Sequence, residues 1–337
     1  MQPSRATIVI PTLHGGEPLR RCLEGLSAQT CRQATVVLVD NSPHGVADGL
    51  TCSLPFEVIV NPRNVGFGEA INQGFAARPA EFLLSLNDDA EPAPDWLERL
   101  LEAMDRNPSA GMAASSIRLA GSAGLLDSAG MALYPDGTAK QRGHGEPAER
   151  YRDSAEALFP SGAAALYRAA MLERSGLFDP EYFLYCEDTD LGLRGRLAGW
   201  GCLYVPEAVV EHAYSVSAGR ASRLKAFYVE RNRLWTLAKL FPARMLWAVP
   251  FWSAWRYWAH LLAALQGRGL AGEIRQAQTG WLDLGIIVVS AHWRTLLHLP
   301  ALWKQRRAFR RNRRLSTREF LRLLSRHRVS ARQIAEQ

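Results

Sequence analysis

The sequence predicts an α/β protein built on an open, mainly parallel sheet with helices on both faces, followed by a helical, basic C-terminal region. Three observations carry this prediction. Short β-branched runs alternate with amphipathic helical patterns in a β-α-β-β-α-β rhythm from Ala6 to Leu86, which implies a right-handed, largely parallel sheet. The second run, Thr35–Val39, is continuous in apolar residues, as expected of a strand covered on both faces. Charge and tryptophan are also segregated. From Phe241 onward there are 17 Lys/Arg, four Asp/Glu and seven of the ten tryptophans, whereas the first 240 residues carry 23 Lys/Arg against 29 Asp/Glu. At 337 residues the chain divides in this reading into two halves of one large domain, residues 1–119 and 120–240, and a tail, 241–337.

In order, Ala6–Ile10 reads as a strand stopped by Pro11-Thr12. Glu17–Ala28 follows with Leu19, Cys22, Leu23 and Leu26 on one helical face. Thr35–Val39 is a second strand, ending in Asp40-Asn41-Ser42, and Phe56–Val60 a third, ending at Asn61-Pro62-Arg63-Asn64. A helix spans Gly68–Ala77. Phe82–Leu86 then ends abruptly in Asn87-Asp88-Asp89. Ligands of open α/β sheets sit beyond the carboxyl ends of the strands, where Asp40, Asn64, Asp88 and Asp89 all fall. Paired acids at such an end are suited to a divalent cation; the alternative is a polar turn in which Asp88 or Asp89 caps the helix starting near Pro94. Asp40 is suited to accept from a base N–H or a ribose hydroxyl, or else to form an Asx turn. Asn64 to Gly68 allows backbone to approach a ligand closely, or is a plain loop.

Several chemistries are excluded or lose support. There is no GxxxxGK[ST] phosphate loop. Gly66-Phe67-Gly68 has Ile71 where a dinucleotide fingerprint needs its third glycine. Five cysteines without a CxxC pair argue against a disulfide framework and a Cys-ligated zinc. The strand pattern begins within about six residues of Met1, leaving no room for a signal peptide, so a reducing, cytoplasmic setting is expected.

Val9-Ile10-Pro11-Thr12, Val39-Asp40-Asn41-Ser42, Asn64-Val65-Gly66-Phe67-Gly68 and Leu86-Asn87-Asp88-Asp89 follow one another as in glycosyltransferase family 2. The chain resembles the rhamnosyltransferase-like branch of that family. The resemblance implies a GT-A fold, a nucleotide-diphosphate sugar donor and a divalent metal, Mn²⁺ or Mg²⁺, held by a D-x-D-type motif. It also implies inversion at the anomeric carbon and places Pro11, Thr12, Asp40, Asn64, Gly66, Asn87 and Asp88 around the nucleotide sugar. Asn87 is neutral where many relatives place an acid, so the metal is expected to rest on Asp89, with Asp88 left to the ribose or to orientation.

Residues 120–157 are glycine-rich and weakly periodic, include Gly143-His144-Gly145, and read as a variable loop or short hairpin without chemistry. Phe159 to Tyr167 gives a turn and a strand, with small residues such as Gly162 where an acceptor sugar can lie close to backbone. Glu187, Asp188 and Asp190 then crowd the head of a helix running to about Ala198. Helix capping explains at least one of them, and Asp190 pairs with Arg194 at i,i+4. The segment resembles the family's E-D-x-D run, which makes Asp188 the catalytic base and leaves Glu187 to position Asp188 or the acceptor, or to act as base in its place. Val205–His212 is a strand ending in a histidine. A lone histidine is usually a satisfied polar residue, but the family resemblance makes His212 the second metal ligand. Tyr228-Val229-Glu230-Arg231-Asn232 resembles the family's Y-x-x-R-N segment, so Arg231 and Asn232 are candidates for diphosphate or acceptor contact; Arg231 is alternatively structural.

In the tail, a helix from Pro250 to about Leu265 puts Phe251, Trp255, Trp258 and Leu262 on one side and Ser253, Arg256 and His260 on the other. Trp281–Trp303 is a second apolar stretch, and Lys304–Arg314 holds seven basic residues in eleven. An in-plane interfacial helix on an anionic membrane fits better than a transmembrane span, which Pro250 and Arg256 oppose; the alternative is a helix packed on the catalytic domain. No nucleic-acid-binding motif accompanies the basic run. The expected partners are therefore a sugar nucleotide, a saccharide or lipid-linked saccharide acceptor, and an anionic membrane at the inner face of the plasma membrane. Leu315 to Phe320 reads as a capping box opening a last helix. The rival readings are a sugar nucleotidyltransferase, which wants a glycine-rich basic loop after the first strand, and a silent membrane scaffold, which is expected to lack Asp89, Asp188 or His212.

Overall fold

The computed structural model describes residues 4–122, 124–213, 223–266 and 281–336. The expected sheet is present and forms the first of two compact units, residues 1–131 with 141–217. Strand β1 (Ala6–Thr12) pairs in parallel with β2 (Ala34–Asp40) and with β4 (Phe82–Leu86), and β2 pairs in parallel with β3 (Phe56–Val60). All four strands therefore point their carboxyl ends the same way. Helix α1 (Gly16–Ser27) buries Leu19, Cys22, Leu23 and Leu26, as its periodicity predicts, on the face that carries Ile8, Ile10, Val36 and Leu38. Helix α2 (Phe67–Ala77) covers the other face. A Cβ at Gly74 would lie 2.4 Å from Val9, so only glycine permits this approach of helix to strand.

After β4 the chain does not run straight into a helix. Asn87–Asp89 form a turn leading into the short β5 (Ala90–Pro92), and α3 (Trp96–Arg106) begins beyond it. Neither Asp88 nor Asp89 caps that helix: its N-cap is Asp95, with no side-chain cap bond. The fully buried Trp96 donates its indole N–H to Ser115 Oγ at 2.9 Å and anchors α3 on β6 (Ala110–Leu119).

The second half of the sheet is mixed. Strand β7 (Leu126–Ser128) pairs antiparallel with β6, and β8 (Met131–Leu133) with β9 (Ala139–Gln141) makes a separate small ribbon. The two-residue β10 (Ala155–Glu156) lies at the edge, and β11 (Ala164–Arg168) inserts antiparallel between β4 and β6. Helices α4 (Ala169–Ser175) and α5 (Glu187–Leu197) lead to β12 (Gly201–His212). The last residues of β12 pair with both β6 and β5, setting His212 opposite Leu119 and Ala90. A 12-residue strand thus delivers its final side chain to the acids that follow β4.

The second unit comprises 132–140 and 218–337. It contains α6 (Arg223–Leu240), α7 (Ala243–Leu246), α8 (Val249–Leu265), α9 (Trp281–Arg310), α10 (Thr317–Arg326) and α11 (Ala331–Glu336). Helix α6, assigned from sequence to the acceptor half, packs instead with α9 in this unit. The Ser316–Glu319 capping box at the head of α10 is formed in full. No helix among the described residues is long and apolar enough to cross a membrane.

The two faces of α8 are sorted as the sequence implies, but the polar face points inward. Ser253 and Arg256 are buried and bond to Asp136 Oδ2 at 3.1 and 2.7 Å, while Arg256 and Tyr257 reach Glu230 at 3.0 and 2.8 Å. Arg233 completes the cluster with Glu230. Trp247, Phe251, Trp255, Trp258 and Leu262 are exposed. On α9, Ile286, Val289, Trp293, Leu296, Leu297 and Trp303 are also exposed, at spacings that repeat every three or four residues along one side.

Candidate active site

Three connections gather the predicted residues at the carboxyl end of β4. The Asn87 N–H donates to Ala163 O at 2.9 Å and Ser85 Oγ donates to Gly162 O at 2.8 Å, which fastens the 161–163 turn to the acidic segment. The Ala213 N–H donates to Asp89 O at 3.0 Å, which fastens the end of β12 to it. The Gly162 N–H in turn donates to Asp188 Oδ2 at 3.0 Å. Asn87, Asp88, Asp89, Gly162, Asp188 and His212 thus belong to one site.

Asp188 stands at the second position of α5, and its other oxygen accepts from the Thr189 N–H at 2.6 Å and hydroxyl at 3.2 Å. Burial pushes its carboxyl above the usual carboxylate range against these hydrogen bonds. Glu187 is buried, with Oε2 lacking any hydrogen-bond partner, and burial together with the charge of Asp188 pushes its carboxyl above the usual carboxylate range. Burial and mutual repulsion disfavour ionising both acids at once, and Asp188 is the member of the pair whose ionised form has bonded support.

The backbone ahead of these acids is strained. Phe183, Tyr185 and Cys186 have φ of 63°, 66° and 64°, a left-handed conformation that costs non-glycine residues about 1 kcal/mol or more each. Packing holds them there. The Phe67 N–H donates to Phe183 O at 2.9 Å, and Gly66, at φ 88°, lies so close that a Cβ would sit 2.4 Å from that oxygen. Arg194 bonds to Asp190 at 2.8 Å and to the carbonyls of Gly176 and Leu177 at 3.1 and 2.8 Å, tying the preceding loop to α5.

Several residues assigned to the nucleotide sugar are engaged with protein. Asp40 is fully buried, and its oxygens accept from the Ser42 and Val46 N–H groups at 2.9 and 2.7 Å, so it organises its own loop as the Asx alternative anticipates. Asn64 is exposed and accepts from the Gly66 N–H at 2.8 Å, an Asx turn that brings Gly66 close to Phe183. Thr12, also buried, donates to Asp88 Oδ2 at 2.7 Å; Pro11 is half-buried beside Val39. Burial outweighs that bond and lifts Asp88 to about 6. Arg231 and Asn232 lie in the second unit. Arg231 stacks over Trp235 and Tyr228 and bonds to Asn232 Oδ1, and Asn232 is fully buried.

His212 Nε2 lies 3.1 Å from Asp89 Oδ1 and 3.3 Å from Asn87 Nδ2. Ligands in adjacent positions on an octahedral cation with bonds of ~2.0–2.1 Å are roughly 3 Å apart, so Asp89 and His212 fit a shared ion. Among the described residues no group of three or more His, Cys, Asp or Glu is arranged to hold a metal. Asp89 and His212 are therefore at most a pair of ligands, and the other positions on an ion there would fall to donor phosphates and water, as is usual for Mg²⁺ in phosphate chemistry.

The segment read as free of chemistry contributes to this site. Asp127 on β7 accepts from His212 Nδ1 at 2.9 Å with one oxygen and lies 3.0 Å from His144 Nδ1 with the other. Burial alone would depress the His212 imidazole, but Asp127 and Asp89 outweigh it and lift it to about 9. Asp127 itself stays below the usual range, its burial offset by the two imidazoles. The available signals were a histidine between two glycines and a single acid in the otherwise uncharged run from Leu119 to Pro135.

The fold is of the GT-A type. A sequence profile for glycosyl transferase family 2 matches residues 7–176. The chain is 32% identical over 271 residues, 69% of its own length and 87% of the relative's, to an N-acetylglucosaminyl-diphospho-decaprenol L-rhamnosyltransferase of Mycobacterium tuberculosis. It is 26% identical to the same organism's pre-mycofactocin glycosyltransferase, over 88% of this chain and 63% of that one. Its fold is similar to GalNAc-T7 with UDP, GalNAc and Mn²⁺ (TM-score 0.56, 16% identity, 72% of this chain and 49% of that one). It is also similar to the mannosyltransferase PcManGT of Pyrobaculum calidifontis with GDP-Man and Mn²⁺ (TM-score 0.51, 16% identity, 88% of each chain). The chain belongs to glycosyltransferase family 2, on its rhamnosyltransferase-like side, and is a glycosyltransferase.

Proposed function

We propose that the protein is an inverting, metal-dependent transferase that moves L-rhamnose from dTDP-L-rhamnose to a hydroxyl of a lipid-linked saccharide in bacterial cell-surface polysaccharide synthesis. The observation that carries the mechanism is the pairing of Asp188 with Gly162, directly beside the Asn87–Asp89 turn. Asp188, oriented by the Gly162 and Thr189 N–H groups, takes the proton of the acceptor hydroxyl as its oxygen attacks the anomeric carbon. The bond from that carbon to the diphosphate breaks in the same displacement, and no enzyme nucleophile is needed. Glu187, whose carboxylate lacks the bonded support that Asp188 has, neighbours it as the weaker base. A divalent cation held by Asp89 and His212, Mn²⁺ or Mg²⁺, would supply Lewis-acid charge for the diphosphate leaving group. Asp88, held by Thr12, borders the donor side of the same turn.

Rhamnose and a lipid-linked acceptor are supported by the activity of the 32% identical N-acetylglucosaminyl-diphospho-decaprenol L-rhamnosyltransferase. We place the protein at the inner face of the plasma membrane because the second unit exposes tryptophans on α8 and α9, and α9 continues into Lys304, Arg307 and Arg310, all exposed. The deciding experiment is release of nucleoside diphosphate from a panel of sugar nucleotides, with and without Mn²⁺. dTDP-L-rhamnose should be turned over best and only with metal; preference for another donor would remove the rhamnose assignment, and metal-independent turnover would remove the Asp89–His212 site.

A further inference from the structure

We infer that Asp127 is a positioning residue that sets the tautomer and ring orientation of His212, and that the Gly143-His144-Gly145 turn exists to hold Asp127. The inference rests on the reading of His212 as a metal ligand. An imidazole offers one nitrogen to a cation only when the other carries its proton toward an acceptor. Asp127 Oδ2, 2.9 Å from Nδ1, is that acceptor, and it leaves Nε2 as the atom that faces Asp89. Asp127 is almost wholly enclosed, its side chain 2% exposed, so water does not substitute for it.

The second oxygen of Asp127 is held by His144. That histidine is placed by backbone that few residues other than glycine adopt: φ is 77° at Gly143 and 72° at Gly145. A Cβ at Gly143 would lie 2.8 Å from the Tyr151 ring and 3.1 Å from Leu126. The turn is also bonded to the strand that carries Asp127: the Gly145 N–H donates to Leu126 O at 2.8 Å and the Leu126 N–H to Glu146 O at 2.9 Å. Turn, carboxylate and imidazole therefore form one rigid piece, built from a stretch that contains no ligand itself. Two imidazoles converge on one carboxylate, so both of its oxygens must accept. An amide in its place offers one acceptor and one donor, and one of the two rings must then change tautomer or lose its bond.

The test is Mn²⁺ binding by the full chain without acceptor, followed through the EPR signal of the free ion, in the parent and in Asp127→Asn. The variant should bind Mn²⁺ about 10–100-fold more weakly while its near-ultraviolet circular dichroism matches the parent. Because a buried position can fail to fold when changed, ¹⁵N-histidine spectra of the Mg²⁺-loaded parent provide a second measure, and His212 should carry its proton on Nδ1. A folded Asp127→Asn protein with Mn²⁺ affinity within twofold of the parent, or a proton found on Nε2, overturns the inference and leaves the metal site standing. A parent that binds no Mn²⁺ overturns the metal site and the inference together.

Discussion

Asp188 and Glu187 are adjacent acids in one buried pocket, and what separates them is their bonding. Asp188 accepts from two N–H groups and a hydroxyl, whereas Glu187 Oε2 has no partner. Removing the acceptor for the proton should therefore cost far more than removing the carboxyl that lacks bonded support. Asp188→Asn is expected to lower kcat by about 10²–10⁴-fold, measured as nucleoside diphosphate release. Glu187→Gln, nearly isosteric with the protonated acid, should stay within about tenfold of the parent. Equal losses in both variants would show that the two acids share the proton. At Gly66 the constraint is steric: Gly66→Ala meets Phe183 O at 2.4 Å from a φ of 88°, and should lower the melting temperature and the activity together. At this scale sequence reading named Asp188, Asp89 and His212 but did not separate ligand contacts from turn chemistry. Asp40 and Asn64 are short polar residues that bond to backbone two residues on, and nothing local distinguishes that use from a nucleotide contact.

Helix α8 shows what element-level patterning conveys and what it leaves open. Its two faces follow from spacing alone, and the helix spans Val249–Leu265 against an expected Pro250–Leu265. Which face is buried depends on partners distant in sequence, Asp136 and Glu230, that neutralise Arg256. Arg256→Met leaves those two carboxylates short of a cation in a buried setting, and is expected to destabilise the second unit by roughly 3–5 kcal/mol in chemical denaturation. The same cluster gives the unit an acid limit. Burial would raise Glu230, but Arg233 and Arg256 hold it down at about 2. A carboxylate with a depressed folded value contributes stability that is fully present above its ordinary range near 4.5 and is lost as pH falls toward 2. Melting temperatures measured from pH 6 to pH 2 should fall across that window, and the fall should be shallower in Glu230→Gln; a parallel fall would place the acid sensitivity elsewhere.

For the whole molecule, composition divides the chain into an acidic body and a basic, tryptophan-rich tail, and the structure turns Trp247, Trp255, Trp258, Trp293 and Trp303 to the surface while Trp252 packs against Tyr134. If the surface meets lipid, Trp255→Ser with Trp293→Ser should weaken co-sedimentation with anionic vesicles several-fold. Neutralising Lys304, Arg307 and Arg310 should cost on the order of 1 kcal/mol per residue, an effect that shrinks with added salt. Unchanged vesicle binding in both variants would argue for a protein partner on that surface. The sequence by itself determined the parallel sheet, the order of its motifs and the amphipathic character of α8, because these depend on local periodicity and on what ends a strand. Only the tertiary structure decided which polar groups meet. The 125-residue separation of Asn87 and His212 is closed by β12 running back between β6 and β5, and Asp127 reaches His212 through pairing with the other side of β6. Side chains brought together by strand order leave no periodic trace in sequence, which is why the carboxylate that orients the site lay in the stretch that looked least structured.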